Sequence, residues 1–429
     1  MSRLRFEQGP VQGDVAPGFE SVKRLYARET ETMAERNTQL CVYHRGRKVV
    51  DLWRAAADDS GFSPDSLVNV FSSGKSLETI AMAHLVDRGL LRFDDRVESH
   101  WPEFASHGKE SLRVADVMRH EGGMAAFDAS LAPDDTLRER IKDNAIGRIV
   151  EGQKLRFRSE SEPREYHAIT RGWIANEIFR RVDPAGRTMG EYFRDEISGP
   201  LGADVRIGVE DRDVDRVSPV EMPSLRWQFL ETLRPRALGR RIKLGFLQLI
   251  GRLLRLLWTG RNATSRSAPQ PFTEMRSVLV FNDPIITAGE TPSAGTKASA
   301  RGLARVAALM AARGRWDGKD YLGSAAWEAA HAEPTEAHMI LAPTDFTQGG
   351  VNRFSAAQAA KGDLGRALNA GREGFYGWMG LGGSIFQWHP EAEIGFAFVP
   401  TSLHAIDLCN ERGKVYQAEV VRCVGSIAG

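Results

Sequence analysis

Ser72-Ser73-Gly74-Lys75 sets a hydroxyl and an amine three residues apart at the entrance to a stretch in which Leu77, Ile80, Ala81, Leu85 and Val86 recur at helical spacing, up to Gly89. Residues i and i+3 share one helical face, so the amine can reach the hydroxyl. The N-terminus of a helix also favours negative charge developing beside it. A weak nucleophile, an adjacent base and an anion-stabilising field are the ingredients of acyl transfer. Lysine can act as that base only when burial or a neighbouring cation depresses its pKa.

Two remote segments carry complementary groups. Tyr166 stands in Arg164-Glu165-Tyr166-His167-Ala168-Ile169-Thr170, ahead of a helical pattern. A phenol there could pass a proton to a leaving alcohol and later activate water. Gly377-Trp378-Met379-Gly380-Leu381-Gly382-Gly383-Ser384 enters a strand pattern, and its glycines let backbone approach a bound carbonyl. Other chemistries find less support. His120-Glu121-Gly122-Gly123-Met124 starts like a zinc-protease helix but has Met where the second His belongs. His331 and His338 lack a third ligand and read as solvated. No G-x-S-x-G elbow, G-x-G-x-x-G fingerprint or P-loop occurs.

The elements that must position these groups follow from pattern. Gln39–Tyr43 and Lys48–Trp53 read as a hairpin, as do Ser384–Trp388 and Ile394–Val399. Trp101–Phe104 reads as a loop and Val114–Arg119 as a short helix. Residues 135–151, 169–182 and 189–197 read as helices, and a further helix lies within 295–313. Strands at both ends with helices between imply an α/β (α+β) chain with one sheet built from both termini. The expected division is an α/β domain of 1–125 and 275–429 with an inserted helical domain of 126–274.

Residues 233–261 carry eight cations and no carboxylate, interleaved with leucines and Trp258. This basic amphipathic segment suits contact with an anionic membrane surface, a lid over an apolar pocket, or a helix packed on its own domain with a solvated basic face. The 429 residues are 42% hydrophobic and 26% charged, and a formal net charge of +1 gives no global attraction for nucleic acid. Cys41, Cys409 and Cys423 are too few and scattered for a disulfide framework or zinc site. With no apolar h-region near Met1 and no long apolar stretch, the expected location is cytoplasmic.

Taken together, Ser72-x-x-Lys75, the Tyr166 segment and the Trp378 segment resemble the three motifs of the penicillin-recognising serine hydrolases, which include class C β-lactamases, D,D-peptidases and class VIII carboxylesterases. The likeness spans roughly 10–230 and 275–400. It implies a β-lactamase/transpeptidase-like fold, Ser72 as acylated nucleophile, Lys75 with Tyr166 as proton acceptor, and the backbone N–H groups of Ser72 and Leu381 as oxyanion hole. Trp378 and Gly380 would line the substrate site, and neither metal nor organic cofactor is implied. The chain departs from the β-lactamase pattern at Ala168, where Asn is usual, and at Trp378, where a cation binds the substrate carboxylate. The Trp-x-Gly form resembles the class VIII esterases. The expected activity is therefore hydrolysis of small neutral esters, with weak β-lactam turnover as a side reaction. The rival expectations are a β-lactamase or D,D-peptidase, and a non-catalytic scaffold or membrane-surface protein.

Overall fold

Alternate residues of the strand Thr38–His44 are buried on opposite sides: Cys41 and Tyr43 in one apolar cluster, Leu40 and Val42 in another. The strand Ile394–Pro400 divides the same way, Ala397 and Val399 against Phe396 and Phe398. A sheet covered on both faces explains why these strands read as nearly unbroken apolar runs. The computed structural model describes residues 7–158, 163–273, 275–339 and 342–428.

The sheet has nine strands: β1 (Gln12–Val15), β2 (Thr38–His44), β3 (Arg47–Arg54), β4 (Thr335–Met339), β5 (Ala342–Phe346), β6 (Asn352–Arg353), β7 (Tyr376–Met379), β8 (Ile385–His389) and β9 (Ile394–Pro400). Their order is β1-β3-β2-β9-β8-β7-β6-β5-β4, antiparallel throughout. The β2–β9 pair joins the two ends of the chain, as the sequence pattern implies. Arg45 (φ 50°) and Gly46 (φ 71°) make the β2–β3 turn, whose two positive φ angles match the twist of the hairpin.

The principal helices are α1 (Glu20–Thr32), α2 (Lys75–Asp87), α3 (Thr170–Val182), α4 (Leu225–Thr232), α5 (Phe246–Thr259), α6 (Ala300–Ala311) and α7 (Glu411–Ala428). α6 packs on β2, β8 and β9 from one side, while α1 and α7 pair on the other. α2 is buried on every side from Lys75 to Leu85, as expected of a helix at the centre of a core. Among the described residues, no helix is long and apolar enough to cross a membrane.

Several elements differ from expectation. Pro102–Gly108 winds into 3₁₀ turns rather than an open loop, with Pro102 at the first position. The helical pattern of 135–151 is split at Asn144, whose φ of 66° separates Arg138–Lys142 from Ala145–Gly152. Two short strands, Val205–Arg206 and Val217–Ser218, interrupt the helical stretch and join Leu67–Asn69 and Lys297–Ala298 in a four-stranded sheet. His331 is not solvated. It is buried, donating from Nδ1 to the Trp327 carbonyl (2.7 Å) and accepting from Trp388 Nε1 (3.0 Å), whereas His338 is exposed on β4. Burial holds the His331 pKa down to about 4.

Segment 233–261 is helical only from Phe246. Pro235, Gly239 and Gly245 break its first half into a 3₁₀ turn and loop. Its basic face is not simply solvated: Arg252 turns inward to Glu411 (2.8 Å), and Lys243 pairs with Glu29. Among the side chains the helix shows to solvent are Leu247, Leu254, Leu257 and Trp258.

Candidate active site

From Ser66 to Leu85 every residue is buried except Ser72, which is half-exposed. The backbone before it explains why. Phe71 holds φ at 46°, a left-handed conformation that costs a bulky residue about 1–3 kcal/mol. Its ring is fixed edge-on against Phe281, centroids 5.7 Å apart. The strand Leu67–Asn69 therefore turns sharply into the 3₁₀ turn Phe71–Gly74 and on into α2, leaving the Ser72 hydroxyl at the bend.

Two groups meet at Ser72 Oγ, and a third backs one of them. Lys75 Nζ lies 3.2 Å away and Tyr166 OH 2.6 Å away, and Trp378 Nε1 in turn donates to Tyr166 OH at 3.2 Å. An indole N–H can only donate. The phenol oxygen therefore accepts from Trp378 and directs its own proton to Ser72. Lys75 Nζ also donates to the carbonyls of Ala168 (2.5 Å) and Ser293 (3.1 Å). A neutral amine has two N–H bonds, which these carbonyls use, so its lone pair faces the serine. With the amine neutral, the hydrogen bonds run in one direction, from Trp378 through Tyr166 and Ser72 to Lys75.

Electrostatics favour that protonation state. Burial holds the Lys75 pKa well below the ordinary lysine value, Arg171 lowers it further, and Glu78 opposes both. Burial raises the Tyr166 phenol above its usual value, against its hydrogen bonds to Ser72 and from Trp378. At neutral pH the phenol keeps its proton.

Glu78, Arg171 and Ser293 escaped the sequence reading. Glu78 and Arg171 form a fully buried ion pair (2.8 Å) between α2 and α3. Glu78 also accepts from Ser293 Oγ (2.5 Å), fixing the residue whose carbonyl holds Lys75. Arg171 donates to the carbonyls of Lys75, Met118 and Gly350 at 2.7–2.9 Å. The only signal available was a Glu three residues after Lys75, which reads equally well as a solvated helical charge. Arg171→Met leaves the Glu78 carboxylate buried and unpaired. Urea unfolding is expected to show a loss of about 3–5 kcal/mol, and a loss below about 1 would mean the pair does not hold α2 to α3.

The Tyr166 segment is clamped from both sides. Arg164 is buried, donating to Glu121 (2.5 and 3.0 Å) and to the Thr335 carbonyl on β4 (2.9 Å). His167 contacts the Glu165 carbonyl through Nδ1 (2.7 Å) and accepts the Met124 N–H at Nε2 (3.1 Å). Burial lowers its pKa to about 4, so it is neutral. His120, also buried, packs against the Tyr166 ring.

Gly380–Ser384 turns between β7 and β8 directly against the Phe71–Gly74 turn. Ser384 Oγ donates to the Val70 carbonyl (2.6 Å) and contacts Ser73 Oγ (3.0 Å). A Cβ on Gly380 would lie 2.1 Å from the Val70 carbonyl oxygen, so only glycine fits. Asn410 Nδ2 fastens the turn through the Gly380 and Ser384 carbonyls (both 2.9 Å). The N–H groups of Ser72 and Leu381 have no acceptor among the described residues.

Beside Tyr166 lies a cavity of about 360 Å³ with walls from Ala125, Phe127, Ile169, Trp173 and Leu256; Arg158 and Glu165 contribute its charges. Mostly apolar lining with few polar groups is typical of small-ligand sites.

The family described as Beta-lactamase matches residues 25–414. A curated relative, "Esterase/beta-lactamase LipL" of Mycobacterium tuberculosis, is 28% identical over 402 residues, covering 92% of this chain and 83% of the relative. A crystal structure of a family VIII carboxylesterase superposes with a TM-score of 0.75 at 21% identity, covering 96% of this chain and all of the other. EstA from Arthrobacter nitroguajacolicus Rue61a gives 0.73 at 23%, covering 97% and 99%. At these identities the two structural likenesses speak to the fold.

Proposed function

The chain belongs to the beta-lactamase family, and we propose that within this family of serine hydrolases it is a carboxylesterase cleaving small neutral esters through an acyl-Ser72 intermediate. The observation that carries the reading is the convergence of Lys75 and Tyr166 on Ser72 Oγ, with the Trp378 indole where a carboxylate-binding cation is usual in β-lactamases.

Lys75 takes the Ser72 proton as Oγ attacks the ester carbonyl. The Ser72 and Leu381 N–H groups receive the developing oxyanion; losing one such donor typically costs about 10²–10³ in rate. Tyr166 then gives its proton to the leaving alcohol and recovers one from the Lys75 ammonium. In deacylation the same pair accepts a proton from water. The apolar cavity accommodates the acyl or alcohol group.

A second reading, β-lactam hydrolysis, draws on Arg158 in the cavity wall and on the name of the mycobacterial relative. A turnover panel separates the two. p-Nitrophenyl acetate and butyrate are expected to outpace a chromogenic cephalosporin in kcat/KM, and the reverse order would select the second reading. If a fluorophosphonate fails to label Ser72 in folded protein, both fall and a non-catalytic role remains.

Trp378→Phe keeps the ring between Phe346 and Phe354 and deletes the N–H that orients Tyr166. One lost hydrogen bond of about 1–1.5 kcal/mol corresponds to roughly a tenfold fall in kcat. An unchanged kcat would mean that the indole N–H does not orient the phenol.

A further inference from the structure

Ten of the sixteen exposed large hydrophobic side chains among the described residues lie between Leu225 and Trp258, on α4, α5 and the loop joining them. On α5 they follow helical geometry. Leu247, Leu254 and Trp258 fall at i, i+7 and i+11, with fractional exposures of 85%, 63% and 66%, and Leu257 flanks them at 68%. Such a contiguous patch marks an interaction surface rather than ordinary scatter. Phe229 of α4 meets Phe246 at the start of α5, ring centroids 5.9 Å apart, so the two helices are in contact.

The charges around the patch indicate its partner. Arg255, Arg261 and Arg266 are exposed along and just beyond the helix, and the Arg261 guanidinium lies over the Trp258 ring at 5.2 Å. Residues 233–261 contain no carboxylate. Three carboxylates that touch the segment pair with its own cations: Glu411 with Arg252, Glu231 with Arg234, Glu29 with Lys243. Leucines and a tryptophan facing outward, with arginines at the border, form the profile of a helix lying in a lipid interface, where acyl chains receive the apolar side chains and anionic headgroups the guanidinium groups.

The opposite face of the helix reaches the catalytic groups. Leu256 lines the cavity that also contains Tyr166. The chain leaving α5 is fastened to the neighbouring residue, Glu165, which accepts from Thr264 N (2.9 Å) and Thr264 Oγ1 (2.8 Å). A surface bound by α5 would therefore lie one helix thickness from the cavity.

We propose that the exposed face of α5 docks this protein on an anionic lipid bilayer. The proposal goes beyond the esterase reading, and its test does not require ester turnover. Full-length protein is mixed with vesicles of phosphatidylcholine alone or with 30% phosphatidylglycerol, and sedimented at low and physiological salt. Pelleting is expected with phosphatidylglycerol, at least about tenfold weaker without it and weakened by salt. Leu254→Glu/Trp258→Glu, which alters only exposed side chains, is expected to abolish pelleting while retaining p-nitrophenyl acetate turnover and the thermal transition. Leu257→Glu provides an independent variant with the same expectation. Absence of pelleting, equal pelleting on neutral vesicles, or pelleting unaffected by the substitutions overturns the proposal. A concentration-dependent dimer that the substitutions dissociate, without vesicle binding, also overturns it and assigns the face to a second copy of the chain.

Discussion

Ser72→Ala is expected to lower kcat/KM on p-nitrophenyl esters by at least about 10⁴-fold and to abolish fluorophosphonate labelling, with a cooperative thermal transition retained. The size of the effect follows from geometry. Ser72 Oγ is where the hydrogen bonds of Lys75 and Tyr166 converge, and without it the two have no shared atom through which to pass a proton. The fold should survive because Ser72 is the half-exposed residue of an otherwise buried stretch, and its side chain packs no core. The strain at Phe71 remains, since it is held by Phe281 rather than by the serine hydroxyl. Residual hydrolysis would come from the Ser72 and Leu381 N–H groups, which the substitution leaves in place. Turnover within about tenfold of wild type would remove Ser72 from the role of nucleophile.

How much of this was legible beforehand depended on whether the signal was local. The hydroxyl–amine spacing of Ser72 and Lys75 is fixed by helical geometry, so three letters of separation gave a contact. The β2–β3 hairpin was legible for the same reason, its turn residues lying between two apolar runs. β4 and β5 were not. Thr335–Met339 places Glu336 and His338 outward at a sheet edge, and Ala342–Phe346 contains Pro343, so both fall short of strand propensity and are held by pairing with each other. The Glu78–Arg171 pair is 93 residues apart in sequence, and only packing of α2 on α3 brings it together. Tyr166 and Trp378 were found through motif resemblance, but the hydrogen bond between them has no sequence signature. Segment 233–261 was legible in composition and not in orientation. The pattern gives two faces, while the Arg252–Glu411 and Lys243–Glu29 pairs decide which one points inward.

kcat/KM for a neutral ester should rise with pH along a single limb that belongs to Lys75. Only the neutral amine can accept the Ser72 proton, so activity is lost as pH falls through the lysine's pKa. In water that pKa is about 10.4, and a solvated lysine would confine activity to strongly alkaline solution. Burial and the Arg171 charge hold it well below that value, so the limb should finish far short of the lysine range. The phenol of Tyr166, raised by burial, should add no falling limb until above pH 10. The same depression makes Lys75 a cost to folding. Between its folded and unfolded pKa values the unfolded chain binds the extra proton, so this residue's contribution to stability rises with pH across that window. Neighbouring charges give a test of opposite signs. Glu78→Gln removes the group that raises the lysine pKa and should move the limb to lower pH, whereas Arg171→Met should move it higher. Lys75→Ala should reduce kcat/KM by about 10²–10⁴-fold and erase the limb. If the limb persists unchanged in Lys75→Ala, or wild type titrates where a free lysine would, the proton goes elsewhere and the donor chain from Trp378 to Lys75 is not the catalytic path.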